Sequence, residues 1–333
     1  MTSRPAFRAV IAFLVFQVVG VLVFGAQAFF QTEIIGISNG LIFALVALGY
    51  TLVYGIIELI NFAHGDVFML GSMLAFLLIG PIFAVTAETP VLLKIGIILL
   101  VLGVVMLATA ALNTSIERVA YRPLRNAPKL APLISAIGMS FVLQNIANLI
   151  AGPANKSIDN LFPTTNLLSV FGIETIAVTF QQAFVAVVTI PLLIALTWFV
   201  DKTRQGRAMR ATAQDPDTAG LMGVDVNRTI ALTFLIGGAL AGAAGVVQIL
   251  YNNVTVWNLG FRFGLNAFTS AVLGGIGNLS GAVVGALVLG QINAFSDRYL
   301  SANWTNAIVF AVLIAVLVFK PTGLLGQQLA DRA

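Results

Sequence analysis

The chain has 333 residues, 59% hydrophobic and 9% charged, with a formal net charge of +4, no cysteine and a single histidine; its mean hydropathy is +0.99. Soluble domains carry about 25% charged residues, so this composition describes a chain that crosses a bilayer several times. It excludes disulfides, thiolate metal sites and thiol nucleophiles, and in such a chain the basic surplus reports which loops are cytoplasmic, not nucleic-acid binding.

Taken in order, the apolar runs predict membrane segments at about 8–30, 34–57, 67–86, 91–112, 131–151, 180–200, 229–251, 264–278, 281–297 and 304–320. The first resembles a signal peptide, with Arg4, Arg8 and Ala26-Gln27-Ala28. Its apolar run exceeds the 7–15 residues of a signal core, which makes it a retained helix. Arg118, Arg122, Arg125 and Lys129, then Lys202, Arg204, Arg207, Arg210 and Arg228, and finally Lys320 and Arg332 mark cytoplasmic segments, with both termini on that side. The loop 152–179 has one basic residue, Lys156, against Asp159 and Glu174, and is read as external.

Two stretches read as hairpins or re-entrant elements, 67–112 and 264–297, each preceded by a long helix (34–57 or 229–251). They enter from opposite sides. The fold class expected is therefore an all-α polytopic membrane protein, one domain over 1–333, with an inverted repeat (34–112 and 229–297) and broken helices. The bland alternative is ordinary up-and-down helices with small residues at their contacts.

The first break carries the densest polar cluster. Glu58, Asn61, His64 and Asp66 fall within nine positions, with Gly65 and Gly71 beside them. Polar groups at depth face a bundle interior or water, and a glycine there permits close backbone approach. Asn61, His64, Gly65 and Asp66, with Gln248 and Asn266 from the second half, are the candidate lining of a translocation path. The competing reading is a capped helix end at the interface. One histidine and two acids do not argue a metal site. Neutral amides suit a zwitterion or a neutral polar solute better than an ion filter. Gln144 and Asn148 share a helix face and read as interhelical bonding groups.

The cytoplasmic loop 201–228 predicts two short helices, Gly206 to Gln214 and one opening at Pro216 and ended by Gly223. Gly206, Arg207, Arg210, Ala219, Gly220, Leu221 and Gly223 are the candidate docking residues for a cytoplasmic partner. The alternative is a helix lying on anionic lipid. Enzyme readings lack support: no GxxxxGK[ST] phosphate loop, GxSxG or HExxH occurs.

Asn61-Phe-Ala-His-Gly-Asp66 with Met69-Leu-Gly71 resembles the NFAHG-[ED]-x-x-M-L-G stretch of the branched-chain amino acid ABC permeases of LivH type. Arg122-Pro-Leu-Arg125 with Ala131-Pro-Leu-Ile134, the stretch Gly206 to Gly223, Val272 to Ala282 and Lys320-Pro-Thr-Gly-Leu324 resemble further motifs of that family, in order. The resemblance covers nearly the whole chain after about residue 34. It implies an importer permease similar in fold to the vitamin B12 type, in the bacterial inner membrane. Its implied partners are a LivM-like permease, two ATPase subunits of LivG/LivF type that bind the ATP, and an extracytoplasmic binding protein; the chain itself needs no cofactor. Leucine, isoleucine and valine are the implied substrates. Urea or short amides are the alternative within the family, and a proton-coupled secondary transporter using Glu58, His64 or Asp66 is the alternative outside it.

Overall fold

The computed structural model describes residues 17–326 except 60, 126, 129, 164, 173 and 174. The described chain is built from helices α1 (Ala26–Ile57), α2 (His64–Leu77), α3 (Val91–Ile116), α4 (Leu130–Ala151), α5 (Phe180–Lys202), α6 (Arg204–Gln214), α7 (Pro216–Leu221), α8 (Val226–Asn252), α9 (Leu259–Gly274), α10 (Leu279–Ser296) and α11 (Ala302–Phe319). Two short strands, β1 (Lys156–Ser157) and β2 (Val254–Thr255), pair antiparallel, Lys156 opposite Thr255. Among the described residues, seven helical runs are long and apolar enough to cross a membrane. The last of these, Leu279–Phe319, holds both α10 and α11 and turns back at Ser301: Leu324, beyond α11, donates its N–H to the Leu273 carbonyl at the end of α9 (2.8 Å). The protein is an all-α, multi-pass membrane protein.

Two expected boundaries move. Hydropathy places a break between residues 30 and 34, but α1 begins at Ala26, after Gly25 at φ 79°, and runs on without interruption. The polar triplet that looks like a loop is satisfied inside the helix. Gln31 donates to and accepts from the Ala177 backbone, both at 3.0 Å. Thr32 returns its hydroxyl to the Ala28 carbonyl at 2.8 Å, and Gln17 donates to Glu33 at 2.6 Å. Likewise α9 starts at Leu259, five residues before the expected 264, because Gly260 and Arg262 interrupt the hydropathy and not the helix. Residues 8–16 of the expected segment 8–30, Arg8 included, with Arg4 before them, lie outside the described residues, as do Lys129 and Arg332.

Glycine stripes set the packing. Each of the two most buried helices, α1 and α8, is covered by a helix from the other half of the chain. On α1, Gly36 and Gly40 lie against Gln291 and Leu287 of α10. On α8, Gly238 and Gly242 lie against Thr109, Ala110 and Val105 of α3. Gly49 meets Gly237, and Ser38 lies beside Tyr251, so α1 and α8 cross antiparallel through the middle. Close backbone approach of this kind is how helices pack where lipid removes most of the hydrophobic driving force.

Candidate translocation and coupling sites

Both central helices end in the same way. Glu58 closes α1 in the left-handed region (φ 52°), its N–H donating to Tyr54 O at 2.9 Å; Asn253 closes α8 (φ 58°), its N–H donating to Ile249 O at 2.8 Å. Non-glycine residues seldom adopt this conformation. Residues 58–63 and 253–258 then connect to α2 and α9. Each new helix opens on a bond to the carbonyl three residues back, His64 N–H to Asn61 O (3.0 Å) and Leu259 N–H to Val256 O (3.1 Å).

The two new helices run in opposite directions. α2 lies along α8, with Gly71 against Gly242, and Ser72 against both Gly245 and Gln248. α9 lies along α1, with Phe263 on Phe43 (ring centroids 5.6 Å) and Phe268 on Tyr50 (6.2 Å). Since α1 and α8 are antiparallel, so are α2 and α9, and their first turns meet backbone to backbone. A Cβ on Gly65 would sit 2.4 Å from the Gly260 carbonyl oxygen; one on Gly260 would sit 2.7 Å from the Gly65 oxygen. Two broken helices thus converge N-terminus to N-terminus inside the bundle. In this arrangement irregular backbone at membrane depth is tolerated because protein surrounds it.

The residues expected to line a path are placed around this junction and are buried in the isolated chain. Asn61 accepts from the Tyr121 hydroxyl at 2.9 Å and donates to Asn113 Oδ1 at 3.4 Å, while Asn113 Nδ2 donates to Phe234 O at 2.6 Å. This network ties the first break to α3 and α8. His64 stands edge-on to Tyr50 (4.9 Å) and fills the space over Gly49. Asp66 accepts from the Ser140 hydroxyl at 2.5 Å, and Gln144 in turn donates to that hydroxyl at 3.1 Å, which brings α4 in. Gln248 accepts from Ser72 at 3.1 Å and donates to Val254 O at 3.3 Å. Asn266 is buried on α9. Asn113, Tyr121 and Ser140 were not singled out by the sequence. Their partners lie 52, 60 and 74 residues away, so local pattern carries no trace of them.

The loop 201–228 folds as two capped helices. Thr203 accepts from Gly206 N–H (3.0 Å), Asp215 from Asp217 and Thr218 N–H (3.0 and 3.1 Å), and Asp225 from Arg228 N–H (2.9 Å). Such N-caps each contribute about 1 kcal/mol. The candidate docking residues divide. Gly206 is buried, pressed against the Val200 carbonyl, and Ala219 is 4% exposed, so both support the fold of the loop. Arg210 turns back to donate to the Val200 and Asp201 carbonyls, a cation on the C-terminal end of α5. Arg207, Gly220 and Gly223 are exposed, Gly223 turning at φ 85°. Leu221 and Met222 project beyond them, 88% and 81% exposed. Next to this unit, Arg125 pairs with the buried Glu117 and donates to Asn227 on the first turn of α8 at 2.6 Å. Partial burial pulls the Arg125 guanidinium below its ordinary value, and Glu117 opposes that.

Residues 34–317 match the family model described as a branched-chain amino acid transport system permease component. The chain is 43% identical over 305 residues to the high-affinity branched-chain amino acid transport system permease protein LivH of Escherichia coli, covering 91% of this chain and 97% of that one. It is 41% identical over 304 residues to BraD of Pseudomonas aeruginosa, a permease protein of the same description, covering 91% and 98%. A shorter match, 35% over 162 residues and 45% of this chain, is to an autoinducer 2 import system permease protein of Klebsiella pneumoniae. No solved structure matches the chain.

Proposed function

Since the chain belongs to the family of branched-chain amino acid permease components, we propose that it is one membrane subunit of an ATP-driven importer for leucine, isoleucine and valine. A second permease subunit would complete the path, two separate ATPase subunits would bind ATP, and an extracytoplasmic protein would deliver substrate. The observation that carries the ATPase-driven reading is the tip Leu221–Met222. It is an apolar surface held out by capped helices at the end of the molecule that bears Arg207, Arg122 and Lys320. That basic end is cytoplasmic by the positive-inside rule, where an ATPase would dock. The likeness of helix breaks, caps and crossed packing supports an inverted repeat with the path at its junction.

The test is reconstitution in liposomes. The chain with its partner permease, ATPases and loaded binding protein is expected to take up leucine only with ATP. Uptake by the chain alone, driven by a proton gradient, would sink the reading in favour of a secondary transporter.

A further inference from the structure

Four basic residues among those described, Lys94, Lys156, Arg262 and Arg298, lie away from the basic end. Lys94 is buried and donates to the carbonyls of Ala87 and Leu161, both at 2.9 Å. Lys156 is in β1, beside the loop segment. Arg298 lies over the Tyr299 ring at 5.9 Å. Arg262 is different. It sits in the first turn of α9, and its guanidinium is exposed and has no partner among the described residues.

Its depth follows from its neighbours. Phe263 stacks on Phe68 (5.0 Å) and rests on Phe43. Phe43 stands nine residues from Ile34 and fourteen from Ile57, the ends of the apolar run of α1. At about 1.5 Å per residue that is roughly 13 and 21 Å of apolar helix on either side. Gly260 and Gly264, at i−2 and i+2, face α2. Arg262, about 200° around the helix from each, therefore projects away from the chain, beside the exposed Phe261 and Asn258. A guanidinium at that depth is too costly to face lipid. It faces water or a carboxylate in a space that this chain closes from one side only.

We propose that Arg262 is the residue of the translocation path that receives the α-carboxylate of the amino acid in transit, on a face of α9 turned toward the second permease subunit. The inference rests on the importer reading above and adds to it a specific receptor. Guanidinium matches a carboxylate with two parallel hydrogen bonds. The N-terminal end of α9 adds a favourable dipole for an anion. Asp66 lies across α9 from Arg262, against Gly260, whereas the buried Asn266 stands one turn on from Arg262 on the same side of the helix.

Because this chain has no cysteine, a direct test is available in a full transporter whose partner subunits are made cysteine-free. Arg262→Gln is expected to co-purify with partner permease and ATPases at wild-type stoichiometry. Its ATP-driven leucine uptake should fall about tenfold or more, the loss expected for one charge-assisted pair. Arg262→Cys in the assembled complex should react with a membrane-impermeant methanethiosulfonate, and more slowly during turnover with leucine-loaded binding protein. Its transport should be partly restored by an aminoethyl adduct, which returns the positive charge, and not by a methyl adduct. Loss of the partner permease from Arg262→Gln would overturn the proposal in favour of a carboxylate on that subunit. Wild-type uptake by Arg262→Gln, an Arg262→Cys variant that does not react, or labelling indifferent to substrate would each overturn it too. Failure of the parent reading would look different: the wild-type complex itself would show no ATP-dependent uptake.

Discussion

The contact between Gly65 and Gly260 gives the most direct test of the junction. Adding one methyl at Gly65 places it 2.4 Å from the Gly260 oxygen, 2.8 Å from Gly264 Cα and 3.2 Å from the Gly260 carbonyl carbon. All three are backbone atoms, so no side chain can swing aside, and the two helices must part by roughly 1 Å to regain ordinary van der Waals separation. Overpacking of this kind costs about 1–3 kcal/mol, and a rigid neighbour argues for the upper part of that range. Ala gains up to about 1 kcal/mol over Gly in helix propensity, which leaves Gly65→Ala about 2 kcal/mol less stable. Gly260→Ala meets the same surface from the other side, 2.5 Å from Asp66 Oδ1 and 2.7 Å from Gly65 O. One separation accommodates both methyls, so the double variant should cost less than the sum of the singles by at least about 0.5 kcal/mol. The measurement is thermal unfolding of the detergent-purified chain, with ATP-driven uptake alongside. Gly96→Ala and Gly103→Ala, in the same fold but with nothing within 4 Å of the added atom, are the controls and should be neutral or stabilising. Wild-type stability and uptake for Gly65→Ala, or strict additivity in the double variant, would refute the close junction.

Leu221→Asp should abolish co-purification of the ATPase while leaving the helices folded, because a carboxylate buried without a partner in that interface is strongly unfavourable. Arg207→Ala should be milder; if Arg207→Ala proves the more damaging, the loop lies on lipid instead. Arg125→Ala strands the buried Glu117 carboxylate and should destabilise by about 3–5 kcal/mol, whereas Arg125→Ala with Glu117→Gln should recover much of that, read by thermal unfolding. Cysteines placed at Ser157 and Ala213 should label from opposite sides of the membrane, Ser157 from outside; labelling of both from one side would undo the orientation.

Much of the architecture was legible because bilayer physics writes it in coarse pattern. Long apolar runs name the helices, and the dense polar stretch Glu58 to Asp66 names the first break. Asp215-Pro216 and Gly223 name the start and stop of a short helix. What escaped depends on partners far along the chain. Gln31, Thr32 and Glu33 read as a loop because hydropathy counts them as exposed, yet Gln31 finds Ala177, 146 residues away, and stays helical. The second break is quieter than the first, since Asn253 to Asn258 contains little charge. Its likeness to the first in local geometry lies in the matching left-handed caps at Glu58 and Asn253, which no local pattern signals. Arg262 was not singled out by the sequence; the facing of Gly260 and Gly264 toward α2 shows where it points.

The crossed packing of α1 with α10 and of α8 with α3 has a consequence for biogenesis. The Glu33 carbonyl receives the Gln291 amide across 258 residues. At about 5–20 residues per second of synthesis, the glycine face of α1 waits roughly 13–50 s after insertion before its cover exists. During that interval Gly36 and Gly40 are exposed in the bilayer to whatever helices are nearby. Neither half can finish alone: a chain stopped before α10 leaves α1 uncovered, and one lacking α3 leaves α8 uncovered. The packing of α1 and α8 is therefore completed only when both halves of the chain are in place.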